Sequence, residues 1–335
     1  MNIYIMSTVI NGYTATDMII NNLDVCGVIT LNPDSGRQVN EYYDFEQYCQ
    51  AKEIKYIGVD TYSLKSENDK KILLNLEIDV LLVLGWQRLI PEWLIDMCKI
   101  GAIGGHGSPW GITEGRGRSP QNWALLMGMK KFYISIFWLN ADADAGNIIE
   151  TREMEYTDID DINSSYLKCN ILTANMIIQN IKNGKISLKE GKKQEGESSY
   201  LPQRVASDGE IDWNRSGEEI YNFVRALTRP YPGAFTKIKS DVIYIWHVIY
   251  LNIKSEVWEC KREGTILQIQ PGGQLVVKCR NGFICIDDYE MPSEIQIQEG
   301  DIFQSCEFKA QINAIIKRHY SKYSIEVNKK ITELV

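Results

Sequence analysis

The sequence predicts an α/β domain built on a mostly parallel sheet, followed by a smaller β-rich domain. Three observations carry that prediction. In the first half, short apolar runs alternate with helix-forming stretches, the pattern of successive βαβ units with right-handed crossovers. One of those runs, "DVLLVLGW" from Asp79 to Trp86, is apolar without alternation, as a strand buried on both faces should be. After the charged, glycine-bearing stretch "KEGKKQEGESSY" the texture changes to short strands with turn signals, which suggests a small antiparallel barrel.

The elements follow in order. "NIYIMSTVI" reads as a first strand, and "YIGVD" (Tyr56 to Asp60) as another. "PEWLIDMCKI" begins with Pro91, a residue suited to the first helical position. "GAIGGHG" is a strand and its exit loop. "SPQNWALLMGM" starts a helix with Ser119 as N-cap and Pro120 behind it. "KKFYISIFWLNADADAG" is a strand running into a polar loop, and "NSSYLKCNILTANMIIQNIKNGK" is a long amphipathic helix stopped by Gly184. Beyond the linker, "EEIYNFVRALT" is one helix. "AFTKIKSDVIYIWHVIYLN", "GTILQIQPGGQLVVKC" and "GFICIDDYEM" supply short strands, and "QPGGQ" marks a hairpin. The expected division is residues 1–190 as the first domain, 191–204 as linker and 205–335 as the second.

A chain of 335 residues is long enough for two domains, and 44% hydrophobic with 24% charged residues is ordinary for a globular protein. The net charge of −8 argues against nonspecific nucleic-acid binding, which needs clustered Lys and Arg. No apolar run reaches the ~18 residues of a membrane span. The N-terminus lacks a basic, cleavable leader pattern, so a cytoplasmic location is expected. Eight cysteines are scattered singly, without a C-x-x-C pair, and read as reduced thiols.

The stretch from Gly104 to Trp123, "GGHGSPWGITEGRGRSPQNW", holds one of only three histidines. Ligands of open α/β sheets bind beyond the carboxyl ends of the strands. "GAIGGHG" places His106 at one such end, and "FWLNADADAG" places Asp142 and Asp144 at another. A histidine and an aspartate brought together there suit general base catalysis, the carboxylate fixing the imidazole and favouring its charged form. A surface histidine and a turn aspartate are the competing reading. "GRGRSP" has neither the spacing of a P-loop nor that of a dinucleotide fingerprint.

Four blocks in order resemble the 10-formyltetrahydrofolate-dependent formyltransferases, a family that includes methionyl-tRNA formyltransferase and amino-sugar N-formyltransferases. They are "DVLLVLGWQRLIPEWLI", "GGHGSPWGITEGRGRSPQNWALLMG", "LNADADAGNIIE" and "LPQRVASDGEIDWNRSGEEIYNFVRALTRPYPGAFT". The resemblance implies a Rossmann-like formyltransferase domain followed by an OB-like barrel, with 10-formyltetrahydrofolate as donor and no metal. It implies that a primary amine attacks the formyl carbon while His106 accepts the amine's proton, oriented by Asp144. The pterin would lie between "GWQRLIP" and "NADADAG". Gly85, Arg88, Leu89 and Ile90 would flank it on one side, and Asn140, Ala141, Asp142 and Asp144 on the other. Trp86 is open to two readings, a stacking surface for the pterin or plain core.

The chain departs from the family's pattern at Gly104, where most members carry asparagine two residues before the histidine. An oxyanion donor is thereby lost, at a typical rate cost on the order of 10²–10³, so a replacement is expected. Ser108 is the nearest candidate, against its reading as a turn residue. "SPWGITEG" departs from the family's leucine-rich acceptor loop at Thr113 and Glu114. Gly104, Arg116, Gly117, Ser119 and Asn122 are the residues the resemblance puts at the acceptor, with Arg116 and Arg118 able to meet a phosphate or to form a solvated loop face. Residues 205–335 hold 16 Lys+Arg and 18 Asp+Glu, a net −2, where a tRNA-binding barrel should be basic. The expected acceptor is therefore an amino sugar carried on a nucleotide. Methionyl-tRNA is the alternative, and a folate-binding relative without catalysis the second. Sugar-modifying relatives suggest a homodimer.

Overall fold

The apolar runs of the first half become strands of one seven-stranded sheet. β1 (Ile3–Met6), β2 (Val25–Leu31), β3 (Tyr56–Val59), β4 (Val80–Val83) and β5 (Gly101–Ser108) come first. After a two-residue strand β6 (Arg116–Gly117), which lies outside this sheet, β7 (Lys131–Trp138) and β8 (Ile148–Glu155) complete it. The computed structural model describes residues 1–335 and divides them into two compact units. The first comprises Met1–Arg116, Tyr133–Met154 and Tyr166–Ser198, and the second Gly117–Phe132, Glu155–Ser165 and Ser199–Val335. Two segments of the first half, Gly117–Phe132 and Glu155–Ser165, thus cluster with the C-terminal half.

In the first unit the strand order is β3-β2-β1-β4-β5-β7-β8. The pairs from β3 to β5 are parallel, while β5 and β7 are antiparallel. β4 is the strand the continuous apolar run predicts: Val80, Leu81 and Leu82 are fully buried. Helices α1 (Tyr13–Ile20), α2 (Pro33–Gly36), α3 (Phe45–Lys52), α4 (Glu67–Leu74) and α5 (Glu92–Asp96) connect the parallel strands. α5 starts one residue later than Pro91 suggests; the proline is the N-cap, with an extended ψ of 140°. "GAIGGHG" is strand throughout, since pairing with β7 carries β5 on to Ser108. The strand "VCGVITL" and the helices around it escape a reading based on the strongest runs.

The second unit includes α6 (Pro120–Leu126) and the start of α7 (Ile162–Lys182). Ser119 precedes α6 in the left-handed region, φ 59°, and makes no side-chain cap. β9 (Tyr200–Leu201) pairs with β6, and the close approach of Leu201 O requires a glycine at Gly117, φ 97°. α8 (Gly217–Leu227) is set by a capping box between Ser216 and Glu219. Then β10 (Ala234–Ile238), β11 (Asp241–Leu251), β12 (Ile266–Ile269), β13 (Leu275–Cys279) and β14 (Gly282–Glu290) form an antiparallel sheet in the order β10-β11-β14-β13-β12. Its two edges are bridged by one segment: Gln304 pairs with Lys237 beside β10's end, and Ile302 pairs with Thr265 beside β12. The bridges close the sheet into a barrel and leave no long free edge. α9 (Phe308–Tyr320) and α10 (Lys329–Thr332) follow. No helix is long and apolar enough to cross a membrane.

Candidate active site

Registers explain why three loops meet at one place in the first unit. Val83, the last residue of β4, pairs with Gly104, and Gly104 pairs with Phe137 near the end of β7. The loops after β4 and after β7 therefore leave the sheet at the same level, on either side of β5. β5 overshoots that level by four residues, Gly105 to Ser108, and carries His106 beyond it. The meeting thus does not depend on two parallel strand ends. An antiparallel strand that exits beside an overshooting one brings the same groups together.

His106 and Asp144 do meet. His106 Nδ1 lies 3.7 Å from Asp144 Oδ2, with 11% and 23% of the two side chains exposed. The other ring nitrogen, Nε2, is 2.8 Å from the Gly115 carbonyl oxygen. A carbonyl can only accept, so Nε2 carries a hydrogen and the neutral ring has its lone pair on Nδ1. The Gly115 carbonyl thus fixes the orientation of the imidazole, and the Asp144 carboxylate lies on the side of Nδ1. Asp144 itself sits in the left-handed region at φ 54°, a conformation an aspartate tolerates but that needs support. Its carbonyl accepts from Gln194 Nε2 at 2.7 Å, and Gly146 O accepts from the same amide at 2.9 Å. Gln194 Oε1 in turn accepts from Thr113 Oγ1 at 3.1 Å and from Arg116 Nη2 at 2.8 Å. Sequence reasoning passed over Gln194, which lies in the charged linker with no motif around it.

Other expected residues fare differently. Ser108 is fully buried, and its hydroxyl accepts from the Trp110 backbone N–H at 3.1 Å. It is a turn serine packed against Gly115. Gly104 is backed by Leu139: a Cβ there would lie 2.8 Å from Leu139 Cδ2. Asn122 is fully buried in the second unit, donating to Ala226 O at 2.5 Å and accepting from Arg204 at 3.2 Å. It holds α6 on α8 and is no acceptor ligand. Gly117 and Ser119 are backbone features of the same turn, and Arg118 is exposed, with its N–H on Leu201 O at 3.2 Å.

On the loop after β4, Gly85 has φ 80° and its would-be Cβ lies 2.8 Å from Gly12 Cα, so glycine is required there. Trp86 is core, buried and edge-on to Tyr62 at 4.9 Å between centroids. Ile90 is buried in the same cluster. The exposed part is Leu89, at 67%, beside Arg88, whose guanidinium lies 5.1 Å over the Tyr62 ring. Opposite, Asn140, Ala141 and Asp142 are exposed, with an Asx turn from Asp142 N to Asn140 Oδ1 at 3.2 Å. An exposed leucine on one loop and turn backbone on the other suit a flat heteroaromatic ring with polar edges.

At Ser135, the strand partner of His106, there is a cavity of about 230 Å³. Trp110, Thr113 and Glu114 line it from the loop after β5, Ser135 and Thr151 from β7 and β8, and Glu195 and Glu197 from the linker. Ser135 pairs directly with His106, so both side chains stand on one face of the sheet.

The chain thus places a histidine–aspartate contact in an α/β sheet that is followed by an OB-like barrel. Two family descriptions match the chain: "Formyl transferase" over residues 15–181 and "Formyl transferase, C-terminal domain" over residues 205–307. The chain belongs to the formyltransferase family and is an enzyme of formyl transfer to amines, with 10-formyltetrahydrofolate as donor. Among its relatives, methionyl-tRNA formyltransferase of Bacillus velezensis is 25% identical over 291 residues, 85% of this chain and 88% of the relative. The bifunctional polymyxin resistance protein ArnA of Wigglesworthia glossinidia brevipalpis is 31% identical over 214 residues, 62% of this chain but 30% of ArnA. Solved structures share the fold. The N-formyltransferase of Helicobacter canadensis, in complex with folinic acid and dTDP-3-aminofucose, gives a TM-score of 0.58 at 15% identity, covering 87% of this chain and all of that one. HypX of Aquifex aeolicus, in complex with tetrahydrofolic acid, gives 0.60 at 13% identity over 98% of this chain and 48% of HypX.

Proposed function

We propose that this chain moves the formyl group of 10-formyltetrahydrofolate to the primary amine of an amino sugar carried on a nucleotide. The observation that supports it most is the His106–Asp144 contact at 3.7 Å with the opposite ring nitrogen anchored on Gly115. The amine nitrogen bonds to the formyl carbon, and the bond from that carbon to N10 of the folate breaks. His106 Nδ1 takes the proton the amine sheds, and N10 leaves with a proton in return. Asp144 stabilises the imidazolium on the side where the proton arrives. Leu89, Arg88 and the turn at Asn140–Asp142 flank the pterin; Trp86 and Ile90 support that loop from below.

The acidic cavity at Ser135 supports a small polyhydroxylated amine as acceptor. Trp110 offers an aromatic face, Ser135 and Thr151 offer hydroxyls, and Glu114, Glu195 and Glu197 attract a protonated amine before it is deprotonated for attack. The net −2 of residues 205–335 points away from tRNA. Methionyl-tRNA remains the second reading, because relatives with that name match across 85–90% of this chain. Incubation with 10-formyltetrahydrofolate and either dTDP-3-aminofucose or initiator methionyl-tRNA separates the two. Formylation of the amino sugar, abolished by His106→Ala with 5-formyltetrahydrofolate still bound, is the expected result. Formylation of the tRNA alone would overturn the acceptor assignment, and full activity in His106→Ala would overturn the base. We further propose a cytoplasmic homodimer. Light scattering at a constant 38.4 kDa across concentrations would refute the dimer.

A further inference from the structure

His106 is flanked on two sides by two different segments. The segment of residues 113–116 supplies the Gly115 carbonyl on Nε2, and the loop after β7 supplies the Asp144 carboxylate facing Nδ1. One side chain connects the two segments. The Gln194 amide donates both hydrogens to the loop, to Asp144 O at 2.7 Å and Gly146 O at 2.9 Å. Its oxygen accepts from both flanks of Gly115, from Thr113 Oγ1 at 3.1 Å and Arg116 Nη2 at 2.8 Å. Two donors and two acceptor sites are all an amide has, and all four are used, which also fixes which way the amide faces.

We infer that Gln194 is a positioning residue for formyl transfer: its amide ties the Asp144 loop to the Thr113–Arg116 segment and so fixes the carboxylate and the imidazole relative to each other. The inference rests on the reading of His106 and Asp144 as the reacting pair. The chemistry argues for a specific role. Asp144 is in the left-handed region, and the carbonyl that Gln194 binds is its own. Losing that bond removes a support of φ 54°, and a shift of this backbone moves the carboxylate relative to Nδ1. A displacement of about 1 Å in a reacting constellation can cost on the order of 100-fold in rate. Gln194 holds the Asp144–Gly146 end of the loop after β7 and has no hydrogen bond to the Asn140–Asp142 turn that flanks the pterin, so folate affinity should fall far less than the transfer rate.

Gln194→Glu is the discriminating variant. It keeps length, volume and an acceptor for Thr113 and Arg116, but it has no hydrogens to give to Asp144 O and Gly146 O. Gln194→Met keeps the length with neither function. The probe is single-turnover formyl transfer from 10-formyltetrahydrofolate to hydroxylamine at high concentration, a nucleophile small enough to need no acceptor pocket. The melting midpoint and calorimetric affinity for 5-formyltetrahydrofolate are measured alongside. Expected is a rate loss of about 10- to 100-fold in Gln194→Glu and Gln194→Met, with folate affinity within about threefold of the parent. In an Asp144→Asn background, Gln194→Glu should cost less than about threefold more, because a residue acting through Asp144 has nothing left to position. A parental rate in Gln194→Glu, with Asp144→Asn impaired, would overturn the inference and leave the reacting pair standing. Full independence of the two losses would also overturn it. A parental rate in Asp144→Asn would instead remove the reading on which the inference is built.

Discussion

Gly104 is the position where the sequence reading expects a departure from the family's pattern, and the structure gives that position a physical form. The space a side chain would enter is filled by Leu139, whose Cδ2 would lie 2.8 Å from an added Cβ. Leu139 is only partly buried and its amide is fixed on Ala102 O at 2.8 Å, so the side chain can give way but the backbone cannot. Gly104→Asn should therefore destabilise the fold by about 1–3 kcal/mol through overpacking. Adding Leu139→Ala should recover more than half of that loss, read as the coupling in a double-mutant cycle by urea unfolding. Strict additivity would mean that Leu139 is not what fills the site. Ser108 is the contrasting residue on the same strand. With its hydroxyl on the Trp110 amide, Ser108→Ala should cost about 1 kcal/mol of stability and change single-turnover transfer by less than about threefold. A rate loss beyond about 30-fold would show that the serine reaches the reacting carbonyl after all.

Individual elements were legible in the sequence where their pattern is local. β4 and the hairpin at "QPGGQ" carry local patterns, and so does the β5 strand holding His106. What could not be read is set by long-range contact. The residues that hold α6, Ala226 for Asn122 and Pro202 for Trp123, lie 104 and 79 positions away, so the motif "SPQNW" looked like an acceptor site when it is a packing site. Gln194 is 50 residues from Asp144 and sits in a stretch whose composition says only linker. The overshoot of β5 beyond β4 depends on register, which no single strand reveals. α8 shows the opposite case, a helix whose start is fully local. Glu219 accepts from Ser216 N at 2.9 Å and Ser216 Oγ at 2.8 Å, while Ser216 Oγ accepts from Glu219 N at 3.3 Å. Burial pushes the Glu219 carboxyl upward, but the Ser216 and Arg215 hydrogen bonds outweigh it and hold the group below its ordinary 4.5. A carboxylate with a lowered folded pKa stabilises fully above the unfolded value and loses that contribution as pH falls through the folded one. Glu219→Ala should thus cost about 1 kcal/mol at neutral pH. The gap to the parent should narrow as pH drops below 4.5, followed by denaturant midpoints; a gap constant down to pH 3 would rule out the ionised cap.

At the scale of the whole molecule the decisive quantity is charge. The chain carries 36 Lys+Arg against 44 Asp+Glu, a net −8, and the barrel-bearing residues 205–335 are net −2. A surface that binds tRNA must replace counterions condensed on phosphates, and each phosphate contact contributes a slope of about −0.7 to −0.9 to log K against log salt. A handful of such contacts would change affinity by orders of magnitude between low and moderate salt. A small acceptor held in a cavity of about 230 Å³ at Ser135 has no such polyanion, and its rate should be nearly flat in salt apart from screening of the carboxylates at the rim. Initiator methionyl-tRNA titrated by fluorescence anisotropy at 50 mM salt should therefore show no saturable binding up to about 10 μM, since a net-negative chain repels the phosphates at the ionic strength where attraction would be strongest. Saturable binding with a steep negative salt slope would place a basic stripe on the folded surface that the totals conceal, and would return the acceptor assignment to tRNA.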